Sequence, residues 1–301
     1  MCRFVAYLGP PVTLESLLLS PAHSLLRQAH APRFQRHGTV NADGFGVGWY
    51  DLARRPEPAV YRSTRPIWGD RSFGSLAGLV ASAAVLAVLR DATPPAVAEE
   101  SGTPPFGDGP WLFAHNGAVD GFAEAGDGIG GTLRRRLSDR RLGGLQGATD
   151  SEVLFGLILD RIDAGACPGE AMVSVIDTVE ELSGGRMNMV LTDGTRVTAT
   201  SWGDSLYTLQ HGPPGAETRI IASEPFDDTP AWRPVPDRSV VEAGPEGIQV
   251  VPMERVRDHT EQTRGTWTNN ERRPAARAAD QEWNQPRGQT DDTHQQQGGA
   301  A

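Results

Sequence analysis

Two cysteines occur in this chain, and one of them, Cys2, directly follows the initiator methionine. Chain ends fray, so a terminus is a poor place for a structural cysteine. The position has one chemical consequence of its own. Once Met1 is removed, Cys2 carries both a thiol and a free α-amine. Such an amine titrates at about 7.7–8.0 and a free thiol near 8.5. The amine can take the thiol proton and later return it to a leaving nitrogen, so one residue supplies nucleophile and general base. The plainer alternative is a cysteine that packs at the start of a strand.

Three other stretches carry residues suited to acyl transfer. In "AHNGAV", the Asn116 amide and the Gly117 backbone N–H form the donor pair that an oxyanion needs. The same residues also fit a plain Asn-Gly turn at a strand end. His115 reads as a packed strand residue, not a base. "VLRDAT" ends an apolar run with Arg90 and Thr93. A guanidinium there can hold a carboxylate bidentately, with the hydroxyl adding to it, or can merely mark where the strand meets solvent. "TDSE" has the form of a capping box from Thr149 to Glu152, which puts Asp150 in the first turn of a helix. Arg90 and Thr93 on a carboxylate and Asp150 on an amine could together recognise an α-amino acid head group.

Composition narrows the chemistry. The net charge of −10 and pI near 5.2 argue against nucleic acid or an anionic membrane as partner. Every basic residue apart from histidine is arginine, which excludes a Walker A loop and a pyridoxal Schiff base. Cys2 and Cys167 make no disulfide framework, and no spacing suggests a metal site. "AGACPGEAM" reads as a loop before a helix, so Cys167 is no rival nucleophile. Pro10, Pro11 and Glu15 make residues 4–19 a poor signal peptide, and the apolar run at 76–89 is too short to span a bilayer. A cytoplasmic protein is expected.

The elements that must position these residues read as follows. "CRFVAYL" is a strand stopped by Gly9-Pro10-Pro11, and helical segments lie on both sides of Pro21. "GTVNADGFGVGWYD", "AVYRSTRP", "ASAAVLAVLR" and "PWLFAHNGAV" read as strands. "TDSEVLFGLILDRIDAG" and "GEAMVSVIDTVEELSG" read as helices. A hairpin turning at Asp193-Gly194 follows, then strands in "SLYTLQH", "RIIASEPF" and "GIQVVPM". From about Asp258 the composition becomes Gln-, Asn-, Arg- and Gly-rich, so 1–257 is read as the folded domain and 258–301 as a disordered polar tail. The ordered part is then a single α/β domain with two β-rich halves and a helical layer.

In this order, an N-terminal Cys, Arg-x-Ala-Thr, His-Asn-Gly and Thr-Asp-Ser-Glu resemble the class II glutamine amidotransferases. The resemblance implies an α/β (α+β) fold, the four-layer αββα Ntn-hydrolase sandwich with two stacked, mainly antiparallel sheets. It implies Cys2 as nucleophile with its own amine as base, Arg90 and Asp150 as the γ-glutamyl clamp, and Asn116 with Gly117 as oxyanion hole. A narrower likeness covers roughly residues 1–254, through "MCRFVAYLGPP", "HGTVNADGFGVGWYD", "TRPIWGDRSF", "ESGTPPFGDGPWLFAHNGAVDG" and "IIASEPFDDTPAWRPVPDRSVV". These resemble the ergothioneine-pathway γ-glutamyl hydrolases, and imply cleavage of γ-glutamyl-hercynylcysteine S-oxide without a cofactor.

The motif departs from glucosamine-6-phosphate-synthase-like members, which have Trp at the x position and His-Gly after the Thr. Here Pro94-Pro95 follows Thr93. No synthase domain follows either, so the rival reading, a glutaminase subunit, requires a separate synthase. A non-catalytic binder of γ-glutamyl compounds is the rival from outside enzymology. The small-molecule partner is thus a γ-glutamyl compound, with no nucleic acid or membrane partner, and a homo-oligomer is left open. Ser223 and Glu224 of "IASEP" lie inside the narrower likeness without a physical role.

Overall fold

The computed structural model describes residues 2–92, 99–124 and 128–263, with side chains of the last helix described as far as Asp258. The chain opens with β1 (Arg3–Thr13), α1 (Leu14–Leu18) and α2 (Leu25–Gln28), then β2 (Phe45–Trp49) and β3 (Ala59–Ser63). A short helix α3 (Arg71–Ala77) leads into β4 (Ala81–Leu89), followed by β5 (Phe106–Asp108) and β6 (Trp111–Val119). Next come α4 (Ile129–Arg134), α5 (Asp139–Gly144) and the two long helices α6 (Asp150–Asp163) and α7 (Pro168–Glu180). The hairpin β7 (Gly185–Thr192) and β8 (Val197–Ser201) precedes β9 (Tyr207–His211), β10 (Thr218–Ala222) and β11 (Arg233–Pro234). A second hairpin, β12 (Ser239–Gly244) and β13 (Gly247–Pro252), runs into α8 (Met253–Thr263).

Gly9-Pro10-Pro11 does not stop the first strand. β1 pairs with β4 on both sides of it, with the register shifting between Leu8 and Val12. Prolines lack the ladder N–H, and an irregularity at that point lets the strand pass them. In "GTVNADGFGVGWYD" only residues 45–49 are strand, and 38–44 are irregular.

The strands form two sheets, ordered β11-β9-β10-β1-β4-β2-β3 and β13-β12-β8-β7-β6-β5. Their pairings are antiparallel. Side chains alternate across each strand, so the central strands supply two cores at once. Phe4, Ala6, Leu86 and Val88 meet Leu112, Ala114, Val190 and Val241 between the sheets. On the outer face of the first sheet, Val5, Val85, Ala87 and Leu89 pack with Leu14, Leu18, Leu25 and Phe73 of α1, α2 and α3. On the outer face of the second, Phe113, Met187, Met189 and Leu191 pack with Val153, Leu154, Ile158, Met172 and Ile176 of α6 and α7. Burial on both faces is why β4 reads as one apolar run rather than an alternation. The result is four layers, αββα.

The chain divides after Glu261, and α8 runs across the 257/258 boundary expected from composition. From residue 264 on, the expected tail lies outside the described residues. Among the described residues no helix is long and apolar enough to cross a membrane.

Candidate active site

Arg3 pairs with Leu89 across β1 and β4, so Cys2, one residue before, and Arg90, one residue after, lie at the same end of the two strands. Cys2 is half-buried and packs against the core between the sheets. Burial pushes its thiol pKa up, and the N-terminal charge, the Asp91 backbone N–H and the Arg90 guanidinium pull against that. The thiol is therefore protonated at neutral pH and needs a base to become a nucleophile. Arg90 is buried. Its guanidinium lies where a side chain at Gly102 would sit, with Nη2 3.0 Å from an ideal Cβ there. Gly102 is thus a residue that sequence reading missed, and its signal is the lack of any atom beyond Cα.

The cavity opens beside β6. β5 covers that strand only at residues 111–113, which leaves the edge at 115–119 without a strand neighbour on that side among the described residues. Met187, opposite Gly117, sends its own N–H the other way, to the Trp202 carbonyl. In an antiparallel ladder this makes Gly117 and Met187 a non-hydrogen-bonded pair, so the Gly117 N–H points off the uncovered edge. Two residues on, the Val119 N–H points to the same side and donates to Asp150 Oδ2 at 3.0 Å. A Cβ at Gly117 would collide with the Arg186 carbonyl and the His115 ring, so no larger residue fits.

Asn116 has the opposite orientation, on the strand face shared by Leu112 and Ala114 between the sheets. It is fully buried, and neither its Nδ2 nor its Oδ1 has a hydrogen-bond partner among the described residues. A buried amide in that condition costs about 1–3 kcal/mol. Its cross-strand neighbour Asn188 makes the contrast. Asn188 Oδ1 accepts from the Trp202 and Asp204 N–H groups, and its Nδ2 donates to the Asp204 and Ser205 carbonyls.

Asp150 is the first residue of α6, where the helix dipole favours a carboxylate. Its Oδ2 takes the Val119 N–H and its Oδ1 the Ser151 N–H at 2.8 Å and the Ser151 hydroxyl at 3.2 Å. Oδ2, with a single donor, keeps a lone pair for a further one. Thr149 caps the helix by accepting from the Glu152 N–H. The expected capping box is only half made, because Glu152 reaches back instead to the Gln146 and Gly147 N–H groups. His115 is a buried support. Its Nε2 binds the Arg186 carbonyl at 2.9 Å and its Nδ1 lies 3.2 Å from Ser151 Oγ, which in turn holds Asp150.

One cavity of about 910 Å³ is lined by Cys2, Arg90, Gly102, His115, Gly117 and Asp150, among others. Asn116, between His115 and Gly117 in the chain, faces the space between the sheets and does not itself line the cavity. Thr93 lies outside the described residues. Among the described residues no group of three or more His, Cys, Asp or Glu could hold a metal ion. The unexplained "IASEP" pair acquires contacts here. Ser223 Oγ accepts the Phe4 N–H at 3.1 Å, and Glu224 accepts the N–H groups of Arg33 and Phe34. Their partners lie about 190 to 220 positions away in sequence, which is why no local pattern showed them.

Comparison with known proteins shows the family and the fold. Residues 29–225 match the family model for class-II glutamine amidotransferases. A γ-glutamyl-hercynylcysteine sulfoxide hydrolase of Mycolicibacterium smegmatis is 40% identical over 257 residues, which cover 84% of this chain and all of that protein. The hydrolase of the same description from Mycobacterium tuberculosis is 36% identical over 262 residues, 85% of this chain and 99% of that protein. Among solved structures, a class-II glutamine aminotransferase domain protein from Silicibacter pomeroyi superposes with a TM-score of 0.60 at 26% identity, covering 83% of this chain and 99% of that one. A glutamine phosphoribosylpyrophosphate amidotransferase from B. subtilis, at 14% identity and TM-score 0.57, shares the fold over 84% of this chain and 49% of its own. The chain belongs to the class-II glutamine amidotransferases.

Proposed function

We propose that this protein hydrolyses the γ-glutamyl amide of γ-glutamyl-hercynylcysteine S-oxide, releasing glutamate and hercynylcysteine S-oxide in ergothioneine biosynthesis. The observation that carries this is the likeness, at 36–40% identity over essentially the full length of relatives bearing that description, of a chain whose Cys2, Arg90 and Asp150 share one cavity. A free cysteine nucleophile suits a reducing, cytoplasmic setting.

After loss of Met1, the Cys2 amine removes the thiol proton that burial holds in place, and the sulfur attacks the γ-carbonyl carbon. The Arg90 fork holds the α-carboxylate and Asp150 the α-ammonium, which fixes the reacting carbonyl at Cys2. Negative charge develops on the carbonyl oxygen and is met by Asn116 Nδ2 and the Gly117 N–H, donors that are set before the substrate arrives. The tetrahedral intermediate collapses as the ammonium gives its proton to the leaving nitrogen. Water then enters the thioester by the same route and frees glutamate.

A cavity of about 910 Å³ lies at the upper end of the range for small-molecule sites, so it has room for a large leaving group beside the glutamyl head. Glu99, Asp120, Glu124, Phe106 and Phe122 line it, a character that suits an imidazole bearing a trimethylammonium. The test is Cys2→Ala with the thioether S-oxide substrate. Turnover should vanish while substrate binding persists by calorimetry; a Cys2→Ala protein that still releases glutamate overturns the reading.

A further inference from the structure

The residue after the nucleophile is an arginine whose side chain is 0% exposed. Side chains alternate along β1, so Arg3 leaves Cys2 on one face and enters the other, where its strand neighbours Val5 and Tyr7 are apolar. Its Nε donates to Gln35 Oε1 at 3.1 Å and its Nη1 to Ser205 Oγ at 3.4 Å. Burial pulls its pKa down, and the facing carboxylates of Glu224 and Asp204 push it back up.

Each of those partners is itself tied down. Gln35 Oε1 also accepts from Asn41 Nδ2 at 3.0 Å, and that nitrogen reaches the Gln28 carbonyl. Ser205 Oγ donates to the Ser223 carbonyl, and Ser223 exchanges bonds with both the N–H and the carbonyl of Phe4. Glu224, also 0% exposed, holds the Arg33 and Phe34 N–H groups. The same irregular segment reaches the nucleophile's other neighbour, since Gly38, at φ 73°, packs against the Asp91 carboxylate.

Stability does not call for this arrangement. Desolvating a guanidinium is expensive, and replacing buried charges with apolar groups of similar volume is often neutral or stabilising. A chain end that must hold an amine and a thiol in one reactive geometry has a different need. Termini fray, and a misplacement of about 1 Å costs on the order of 100-fold in rate. We propose that Arg3, backed by Glu224, is a positioning residue that fastens the start of β1 through Gln35 and Ser205 and so fixes the amine and thiol of Cys2. This rests on Cys2 being the nucleophile.

The test uses full-length wild type, Arg3→Met, Gln35→Leu, the double variant and Arg3→Lys, each produced with Cys2 exposed by cleaving a leader. Melting temperature, kcat and KM for a γ-glutamyl-cysteinyl thioether, and the rate of Cys2 alkylation by iodoacetamide are read together. Arg3→Met leaves the buried Glu224 and Asp204 carboxylates without its counter-charge, so its melting temperature should fall, but its KM should stay within about twofold, because Arg90 and Asp150 stand on other elements. Its kcat should fall roughly 30- to 100-fold, and Cys2 alkylation should change with it. Arg3→Lys should recover part of kcat, and the double variant should be no slower than Arg3→Met, since both changes cut one link.

A folded Arg3→Met with kcat within threefold of wild type overturns the proposal, as does a loss that appears in KM alone. If Arg3→Met does not fold, Gln35→Leu decides: a tenfold or greater loss of kcat at constant KM supports the proposal, and unchanged kcat refutes it. An inactive wild type, or an active Cys2→Ala, would sink the underlying reading instead.

Discussion

Truncating Asn116 and Asn188 separately should divide catalysis from stability between two neighbouring side chains. The two face each other across β6 and β7 and are equally buried, yet one amide has four hydrogen bonds and the other none among the described residues. Asn116→Ala removes a group whose burial already costs about 1–3 kcal/mol. The small cavity it leaves costs on the order of 1 kcal/mol. These nearly offset, so the melting temperature should move by no more than about 2–4 °C. Loss of one oxyanion donor should lower kcat by about 10²–10³-fold, equivalent to roughly 2.7–4 kcal/mol.

Asn188→Ala strands two backbone N–H groups and two carbonyls. At about 1 kcal/mol or more for each of the four unsatisfied groups, the loss should be at least about 4 kcal/mol, or roughly 8–16 °C. Glutamate release under saturating substrate and a thermal melt of the same samples give both numbers. A fully active Asn116→Ala, or one whose loss of rate is matched by a comparable loss of stability, would refute the oxyanion assignment.

Three further outcomes are expected. Arg90→Lys loses the bidentate fork and Asp150→Asn the charge that faces the ammonium, so each should raise KM by about 10- to 100-fold, taking 1.5–3 kcal/mol for a charged hydrogen bond; steady-state kinetics that show only kcat falling would contradict the clamp. Gly117→Ala puts a methyl group against the Arg186 carbonyl and should lower both stability and activity, so a variant with wild-type melting behaviour would count against the close approach drawn here.

Asp70 caps α3 by accepting the Phe73 N–H at 3.0 Å and also takes the Tyr61 hydroxyl. Burial pushes its carboxyl up, but bonds from Phe73, Tyr61 and Ser63 outweigh that and hold its pKa below the ordinary value. A depressed pKa contributes stability above the unfolded value that is lost as pH falls through the folded one. Asp70→Ala should therefore cost about 1 kcal/mol at pH 6, and the gap in melting temperature should narrow below about pH 3.9. A gap that stays constant into acid would refute it.

Much of the fold was legible because the long elements carry their period in the sequence. α6 and α7 show it, while β4 and β6 are legible as apolar runs and the β7–β8 hairpin from its turn at Asp193-Gly194. β5 and β11, at three and two residues, are too short for any period to register. α4 and α5 are short and glycine-containing, and so lack a helical signature. Gly9-Pro10-Pro11 misled because local stop signals gave way to pairing with β4 on both sides.

The candidate site divides in the same way. Cys2, Arg90 and Asp150 sit at strand or helix ends that their own motifs mark, whereas Asn116 and Gly117, expected at a strand end, lie within β6, which stays paired to β7 as far as Val119. What supports them comes from distant residues. Ser151 and His115 are 36 positions apart, Arg3 and Ser205 are 202 apart, and Phe4 and Ser223 are 219 apart. No window of sequence contains such pairs. Even the Gly117 donor required the register, because only pairing with β7 shows which way its N–H points.

The most direct measurement is turnover by two preparations of one protein, one beginning at Cys2 and one retaining Met1, each verified by intact mass. Both are assayed with a γ-glutamyl-cysteinyl thioether and with glutamine. The account predicts glutamate from the first preparation, mainly from the thioether, and none from the second, whose amine belongs to the wrong residue. Equal turnover by the Met1-bearing protein would contradict a mechanism in which the Cys2 amine is the base.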